Sequence, residues 1–481
     1  MRYRIILASI SRLLLIVGIS MIIPLLWSLW YSDGSWPAFT LSMAVVIPAG
    51  LILYYFFPLE PQRLRYIDGY FIVTFSWIIV VILGTLPFIF SHTMNFTDAF
   101  FETMSGFTTT GASILTDIES LPEGILMWRA LTQWLGGMGI IVLFVALASQ
   151  FGPGANRIFG AEAPGPTVEK FTPRISETAK YLWKFYMIFS AIQIVLLFTA
   201  GMTFYDSMAH TFTTIATGGF STKNASIGHY LDNHFIQLII TFFMLLGGTN
   251  FALFYLAWHG KNVKVFWYSE EFRLYIKIMG AATLLVLASL YMARPDNHGI
   301  LPITALFQVV SILTTTGYAT VDYDLWPALA RNVMFVLLFI GGSLGSTAGG
   351  IKIGRILILL KYTFNEVIRF LHPRLVRETK VNQSCISERV VANTFVFFFV
   401  YLTIVALGTL VMSGFNMDLE SSLSSVLACI GVIGPGLGAV GPAMNYADIP
   451  MLGKYFLSIL MLIGRLEIFT VLVLFYPRFW D

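Results

Sequence analysis

The chain has 481 residues, of which 57% are hydrophobic and 11% are charged, whereas soluble domains carry about 25% charged residues. So few charges, a net charge of only +3 and a mean hydropathy of +0.77 exclude an ordinary soluble enzyme, a nucleic-acid-binding protein and a disordered chain. The two cysteines, Cys385 and Cys429, predict no disulfide framework. We therefore predict a polytopic membrane protein.

Ten apolar segments are long enough to cross a bilayer, since a spanning helix needs about 20 apolar residues. The first is longer than a signal-peptide core and no small-residue cleavage site follows it, so we predict a retained helix. Lys and Arg concentrate in alternate loops, which predicts that both termini are cytoplasmic. The ten predicted spans are Ile5–Tyr31, Ala38–Phe57, Tyr70–Phe90, Met127–Ala148, Tyr181–Thr203, Phe235–Trp258, Leu274–Met292, Asn332–Leu360, Val390–Met412 and Tyr455–Phe475.

Four of the outer loops contain an apolar segment followed by a Thr- or Gly-rich turn. Aligned on one glycine, these turns 1 to 4 read Thr109-Thr110-Gly111, Ala216-Thr217-Gly218, Thr315-Thr316-Gly317 and Val432-Ile433-Gly434. A second marker follows 24 to 30 residues later, as Leu135-Gly136-Gly137, Leu246-Gly247-Gly248, Ile340-Gly341-Gly342 and Ile463-Gly464-Arg465. Two markers in similar register, four times over, indicate an internal fourfold repeat.

Irregular backbone at membrane depth survives only where it lines a cavity or is buried in protein. Four such turns around one axis can present rings of carbonyl oxygens, which replace the hydration shell of a monovalent cation. Glycine suits the turns because it adopts positive φ. None of the aligned positions carries a carboxylate, which disfavours a divalent cation. The alternative is that the turns are small-residue helix ends that allow close helix packing.

The predicted fold is an all-α polytopic membrane protein with four helix–pore-loop–helix repeats around a pseudo-fourfold central pore. Two N-terminal transmembrane helices lie outside the repeats. The predicted units are residues 1–66 for the N-terminal pair, then 67–150, 151–260, 261–372 and 373–481 for repeats 1 to 4. The third repeat has an interrupted inner helix.

That interruption is the segment Gly341–Lys352, which is too rich in Gly and Ser to hold a regular helix. It is either a kink that lets helices approach or a flexible gate beneath the turns. The candidate gate residues are Gly341, Gly342, Ser343, Gly345, Ser346, Thr347, Gly349, Gly350 and Lys352.

Arg465 is a charge in the middle of the last predicted span, where insertion costs roughly 2.5–3.5 kcal/mol. It occupies the position that Gly137, Gly248 and Gly342 hold in the other repeats. Two interpretations remain open: a cationic barrier facing the pore, or one half of an ion pair with a buried acid. Glu467, two residues on, does not share its helix face.

The turns and the helix markers resemble the Trk/Ktr/HKT superfamily of potassium transporters, and the two extra N-terminal spans resemble its bacterial TrkH/TrkG branch. The resemblance covers essentially the whole chain. The resemblance implies that the protein lies in the bacterial cell inner membrane, forms a homodimer and associates with a cytoplasmic regulatory subunit. Any regulatory nucleotide is expected to bind to that subunit and not to this chain. No cofactor is implied in this chain beyond potassium ions bound by turns 1 to 4. Glycine in all four turns goes with potassium selectivity in this family, although turn 4 departs from the Thr-rich pattern of turns 1 and 3.

The leading functional hypothesis is potassium uptake through a carbonyl-lined selectivity filter, gated by the interrupted segment and the regulatory subunit. The alternative within transport is a symporter that carries potassium with protons or sodium. An intramembrane enzyme is the third hypothesis, and it lacks a polar catalytic set. Two basic cytoplasmic segments, residues 152–180 and 364–389, are predicted to dock the partner, unless they are an ordinary positive surface facing membrane lipid.

Overall fold

The computed structural model describes residues 3–58, 66–139, 175–293, 301–372, 374 and 377–476. Within these ranges the regular structure is helical apart from one hairpin, in which Lys380 pairs with Cys385 and Val381 with Ser384. The α-helices are Tyr3–Ser20, Ile22–Tyr31, Trp36–Phe56, Tyr66–Gly84, Leu86–Phe90, Phe96–Phe107, Glu123–Gly137, Ile175–Thr199, Phe204–Ile215, His234–Gly247, Phe251–Gly260, Val265–Tyr268, Glu270–Ala293, Leu301–Leu313, Ala328–Leu337, Ile353–Leu371, Glu388–Ser413, Leu419–Ile430, Met451–Arg465 and Phe469–Leu472.

Six of the described helices are long and apolar enough to cross a membrane, and two sharply bent helix pairs bring the number to eight. Their outward faces carry large apolar side chains, including Val195, Leu284 and Phe399, which are 60%, 68% and 71% exposed. A water-soluble protein would bury such faces, whereas lipid covers them without cost. The chain is therefore an integral membrane protein. Residues 140–148 of the predicted span Met127–Ala148 and residues 152–174 of the predicted docking segment 152–180 fall outside the described residues.

The N-terminal helices pack as a pair against the rest of the chain. Tyr3–Ser20 lies along Trp36–Phe56, and a Cβ added at Gly50 would meet the Leu15 side chain at 3.0 Å. The loop between them is anchored through Asp33, whose carboxylate accepts the backbone N–H of Gly124 at 2.7 Å. This bond fixes the pair to the start of helix Glu123–Gly137.

Four short helices precede the turns, and we number them short helices 1 to 4: Phe96–Phe107, Phe204–Ile215, Leu301–Leu313 and Leu419–Ile430. Three begin at a side-chain cap that accepts the backbone N–H three residues on, namely Asn95, Thr203 and Asp418. Short helices 1, 2 and 4 are buried along most of their length. They are too short to cross a bilayer as single helices.

The helices that carry the Gly-rich marker or lead into it are marker helices 1 to 4: Glu123–Gly137, His234–Gly247, Ala328–Leu337 and Met451–Arg465. The sequence predicts a break only in the third. The structure contradicts this in two repeats, because marker helix 2 bends by 89° into Phe251–Gly260 and marker helix 4 bends by 111° into Phe469–Phe475. In repeat 2, the new helix begins at Asn250, whose side chain caps it by accepting the Ala252 N–H. In repeat 4, Glu467 and Ile468 adopt positive φ.

Candidate functional site

Each short helix ends two residues before a backbone position with positive φ, and a glycine with positive φ follows two residues later. The first positions are Thr109, Thr217, Thr315 and Val432, with φ of 60°, 52°, 55° and 57°. The glycines are Gly111, Gly219, Gly317 and Gly434, with φ of 83°, 77°, 81° and 95°. Alternating backbone handedness is therefore common to all four turns.

The backbone places turn 2 one residue later than the sequence alignment does. The structural equivalent of Gly111, Gly317 and Gly434 is Gly219, and Gly218 takes the middle position. The prediction that Ala216-Thr217-Gly218 forms turn 2 is wrong. Two glycines follow each other here, and the sequence alignment used Gly218, whereas the backbone conformation matches at Gly219. Turn 2 is Thr217-Gly218-Gly219, and Ala216 only ends the helix before it. The interval from cap to glycine marks the correct register: it is 16 residues from Asn95 to Gly111, from Thr203 to Gly219 and from Asp418 to Gly434.

The turns contact one another in cyclic order. A Cβ added at Gly111 would lie 2.2 Å from the Gly218 carbonyl oxygen, and one at Gly219 would lie 2.0 Å from that of Thr316. A Cβ added at Gly317 would lie 2.0 Å from the Ile433 carbonyl oxygen, and one at Gly434 would lie 2.7 Å from the Thr110 carbonyl oxygen, which returns to turn 1. Each glycine thus faces the middle carbonyl of the next turn. Any side chain at these positions would displace a neighbouring turn.

A buried polar side chain in each short helix holds the segment that follows its turn. Glu102 is the charged example: its carboxylate accepts the Ile114 N–H at 3.0 Å and pairs with Arg129 of marker helix 1 at 2.8 Å. Sequence reasoning missed this pair, since 27 residues separate its members. The corresponding contacts of the other three helices are His210 Nε2 to Ser221 Oγ at 3.0 Å, Gln308 Nε2 to the Val321 carbonyl at 3.2 Å and Ser424 Oγ to the Leu437 carbonyl at 2.8 Å.

The interrupted segment Gly341–Lys352 folds back on itself rather than extending as an unpacked loop. Gly341 N donates to the Ile351 carbonyl at 3.0 Å, and Ile340 and Ile351 form a parallel bridge. A Cβ added at Gly341 would fall 1.8 Å from the Gly349 carbonyl oxygen, so glycine is required there. Gly345 and Gly350 have positive φ. Gly342, Ser343, Thr347 and Gly349 are buried, and Ser346 is half-buried.

This segment touches the first residues of three turns. The Gly349 N–H donates to Thr315 Oγ1 at 2.7 Å, and the Thr217 hydroxyl lies 3.2 Å from that of Thr347. On the side of turn 4, the Cβ position at Gly349 would lie 2.6 Å from Val432 Cβ. The segment therefore lies against these three turns at the end where the short helices terminate.

Arg465 contacts the remaining turn, turn 1, at the same end. Its guanidinium donates to the Thr347 carbonyl at 2.8 Å, to the Gly137 carbonyl at 2.7 Å and to Thr109 Oγ1 at 3.2 Å, and it also contacts the Gly136 carbonyl. A cation at these carbonyls complements the C-terminal end of marker helix 1. Its neighbouring acid, Glu467, pairs instead with Arg355.

Lys352 lies at the start of helix Ile353–Leu371, where its buried ammonium group donates to the Ala348 carbonyl. This contact is internal to the interrupted segment and stabilises its fold. In the described part of the chain, no three His, Cys, Asp or Glu side chains are grouped so that they could hold a metal ion. The groups that turns 1 to 4 offer to a cation are backbone carbonyls and Thr hydroxyls.

The TrkH family, described as a cation transport protein, matches residues 36–481. The chain is 40% identical over 484 residues to the Trk system potassium uptake protein TrkH of Escherichia coli (strain K12), with 100% of both proteins covered. It is 34% identical over 469 residues to the Trk system potassium uptake protein TrkG of the same strain, with 96% of both covered. It is similar in fold to the crystal structure of the potassium transporter TrkH from Vibrio parahaemolyticus, with a TM-score of 0.90, 37% identity and 100% of both chains covered. The chain therefore belongs to the TrkH family of cation transport proteins, in the TrkH/TrkG branch of the Trk/Ktr/HKT superfamily, and is a transporter rather than an enzyme.

Proposed function

We propose that this protein takes up potassium through a central pore whose selectivity filter is the ring of turns 1 to 4. The cyclic order of contacts, from Gly111 through Gly219, Gly317 and Gly434 back to turn 1, is the observation that carries the proposal. Four helix–turn–helix units that close on one another enclose an axis along which a single ion can pass. The relatives named above as potassium uptake proteins support the same cargo.

Potassium suits this ring because its ligands are neutral. Alternating positive and negative φ lets successive carbonyls point to the same side, where they replace the water around a monovalent cation. A divalent cation would require carboxylates, and none occurs in the turns. The proposed potassium-binding residues are Thr109, Thr110, Gly111, Thr217, Gly218, Gly219, Thr315, Thr316, Gly317, Val432, Ile433 and Gly434.

We assign the gate to the segment Gly341–Lys352 and a cationic barrier to Arg465. The segment lies against the first residues of turns 2, 3 and 4, so an ion leaving the filter meets it next. Arg465 donates to the Thr347 carbonyl, which joins the barrier to the gate. A guanidinium carries its charge at any physiological pH and repels a cation in this partly buried setting.

The protein is proposed to lie in the bacterial inner membrane as a homodimer with both termini in the cytoplasm. The exposed hairpin of residues 380–385 and the helix Ile353–Leu371 that precedes it belong to the face with most Lys and Arg. That face is where a nucleotide-binding regulatory subunit would dock. Movement of Ile353–Leu371 would transmit docking to the gate, because this helix begins at Lys352.

Flux through the purified protein in liposomes tests this function. In two separate sets of liposomes, one loaded with potassium and the other with sodium at the same concentration and with no other ion gradient, we expect potassium to leave much faster than sodium. Equal fluxes would refute the potassium filter. If potassium movement instead required an imposed proton or sodium gradient, the protein would be a symporter.

A further inference from the structure

Turn 2 lacks a side chain at its middle position, and a residue from another repeat fills the space. The middle residues of turns 1, 3 and 4 are Thr110, Thr316 and Ile433, whereas turn 2 has Gly218. A Cβ added at Gly218 would lie 2.4 Å from Cδ, 2.5 Å from Oε1 and 2.8 Å from Nε2 of Gln133. The carboxamide of Gln133 therefore occupies the volume that the missing side chain would take.

That carboxamide holds the backbone on both sides of the turn-2 glycine. Gln133 Nε2 donates to the Gly218 carbonyl at 2.6 Å, and its Oε1 accepts the Phe220 N–H at 3.0 Å. The side chain is fully buried. The amide supplies both the donor and the acceptor that this arrangement uses, whereas an ionised carboxylate has no hydrogen to donate and a hydrocarbon has neither group.

Arg129 supports the same stretch from one helical turn away. Its guanidinium donates to the Ser221 carbonyl at 3.2 Å and lies 4.1 Å from the centre of the Phe220 ring. Glu102 fixes the guanidinium from the other side. Arg129 and Gln133 are four residues apart and so share one face of marker helix 1.

This polar face is confined to marker helix 1. Counted back from the glycine marker, the residues equivalent to Gln133 are Met244, Leu338 and Met461, and those equivalent to Arg129 are Ile240, Met334 and Leu457. All six are apolar and buried. Turn 2 has two successive glycines, which give a backbone its greatest freedom, and two side chains of marker helix 1 support the backbone at and after them.

We propose that Gln133 is a specificity-determining positioning residue, which holds turn 2 in the shape that matches turns 1, 3 and 4. Gln133 acts through the Gly218–Phe220 backbone and does not itself bind the ion. The inference rests on the proposed potassium filter. Discrimination between two monovalent cations needs all four sets of carbonyls at the right separation, so a turn 2 free to relax would admit sodium.

The test compares potassium and sodium fluxes of variants of the full-length protein in liposomes. Gln133→Ala removes both hydrogen bonds and should lower the potassium-to-sodium flux ratio by about tenfold, the factor that about 1.4 kcal/mol represents. Gln133→Glu keeps the volume and, in its ionised form, loses the donor, so it should lower the ratio as well. Met244→Ala is the matched control, since it truncates the equivalent buried residue of marker helix 2 and should leave the ratio unchanged.

A compensating variant separates positioning from simple loss of packing. Gly218→Thr alone should clash with Gln133 and impair flux. Combined with Gln133→Ala, the threonine restores the side chain that turns 1 and 3 carry, and the flux ratio should return toward the wild-type value. Thermal unfolding of each purified variant shows whether it is folded. If Gln133→Ala cannot be purified in folded form, Gln133→Glu replaces it in the comparison.

Two results would overturn the inference. One is an unchanged flux ratio in both Gln133→Ala and Gln133→Glu. The other is an equal fall in Met244→Ala, which would make the effect one of general stability. A wild-type protein that passes both ions equally would instead refute the potassium filter itself, so failure of the inference and failure of the proposed function are distinguishable.

Discussion

Arg355 and Glu467 form an ion pair that joins the helix after the interrupted segment to the bend of marker helix 4. Both side chains are largely buried, at 7% and 17% exposure, and the Arg355 guanidinium also lies 3.9 Å from the centre of the Phe397 ring. Arg465, two residues before Glu467, donates to the Thr347 carbonyl. Marker helix 4 and the bend after it therefore contact the proposed gate at Thr347 and the helix after the gate at Arg355.

Removing the carboxylate of this pair should destabilise the protein. Glu467→Ala takes away the acidic partner of Arg355, and breaking a buried pair from one side costs about 3–5 kcal/mol. We expect a clear fall in the temperature at which the purified protein unfolds in detergent. The double variant Arg355→Met/Glu467→Leu leaves no buried charge at either position and should recover most of that loss. A Glu467→Ala protein as stable as wild type would contradict the structural role of the pair.

Arg465→Ala should increase cation flux without changing the ratio of potassium to sodium. The variant removes a positive charge beside the ion path and the hydrogen bond to the Thr347 carbonyl, while the carbonyls of turns 1 to 4 stay in place. Liposome flux at equal protein density measures the effect.

Arg465→Lys separates the two contributions, because an ammonium keeps the charge but cannot reproduce the several donors of a guanidinium. Slow flux in the lysine variant would identify the charge as the barrier, and fast flux would identify the hydrogen bond to the gate. Arg465→Ala flux at the wild-type rate would contradict both roles.

A single methyl group at Gly219 should abolish selective transport. Gly219 has a φ of 77° and would place a Cβ 2.0 Å from the Thr316 carbonyl oxygen, so Gly219→Ala must displace turn 3. Gly34→Ala is the matched control, because Gly34 has a φ of 79° and nothing within 4 Å of its Cβ position. Both variants carry the cost of a left-handed alanine, about 1–2 kcal/mol. Only Gly219→Ala should lose the preference for potassium in flux measurements, and an unaffected Gly219→Ala would contradict the register assigned to turn 2.

The native cysteines report which side of the membrane the hairpin faces. Cys385 is exposed in the hairpin, whereas Cys429 is fully buried. The hydrogen bond from the Cys385 thiol to the Glu378 carboxylate raises the pKa of that thiol. Forming its reactive thiolate therefore takes a higher pH than it does for an ordinary cysteine. A membrane-impermeant maleimide at mildly alkaline pH should label inside-out vesicles and spare right-side-out ones. Cys385→Ser is the control, and labelling of right-side-out vesicles would reverse the proposed orientation.

The sequence predicts the parts of this fold that leave a local pattern. Apolar runs identify the six long spanning helices and the two bent pairs of the described residues among the ten predicted spans, and the Gly- and Ser-rich stretch from Gly341 identifies the broken third helix. The bends after Gly248 and Arg465 are not predicted because apolar residues on both sides make each stretch resemble one continuous span. Their causes are the cap at Asn250 and the positive φ of Glu467 and Ile468, which depend on tertiary packing.

In the candidate site, too, the sequence predicts some features and misses others. Turns 1, 3 and 4 are aligned correctly from sequence, since each has one glycine at the relevant position. Turn 2 has two, and only the interval from its cap at Thr203 decides between them. Gln133 leaves no sequence signal, because a buried glutamine gains its meaning from Gly218, which lies 85 residues away in the chain.

Where a heavy potassium analogue binds is the most direct test of the central claim that turns 1 to 4 form an ion-binding ring. Rubidium has nearly the chemistry of potassium and scatters X-rays anomalously, so crystals grown with rubidium in place of potassium reveal bound ions. We expect an anomalous peak on the axis among Gly111, Gly219, Gly317 and Gly434 and its loss when sodium replaces rubidium. A rubidium-transporting protein whose crystals show the ion elsewhere, or show none within the ring, would contradict the claim.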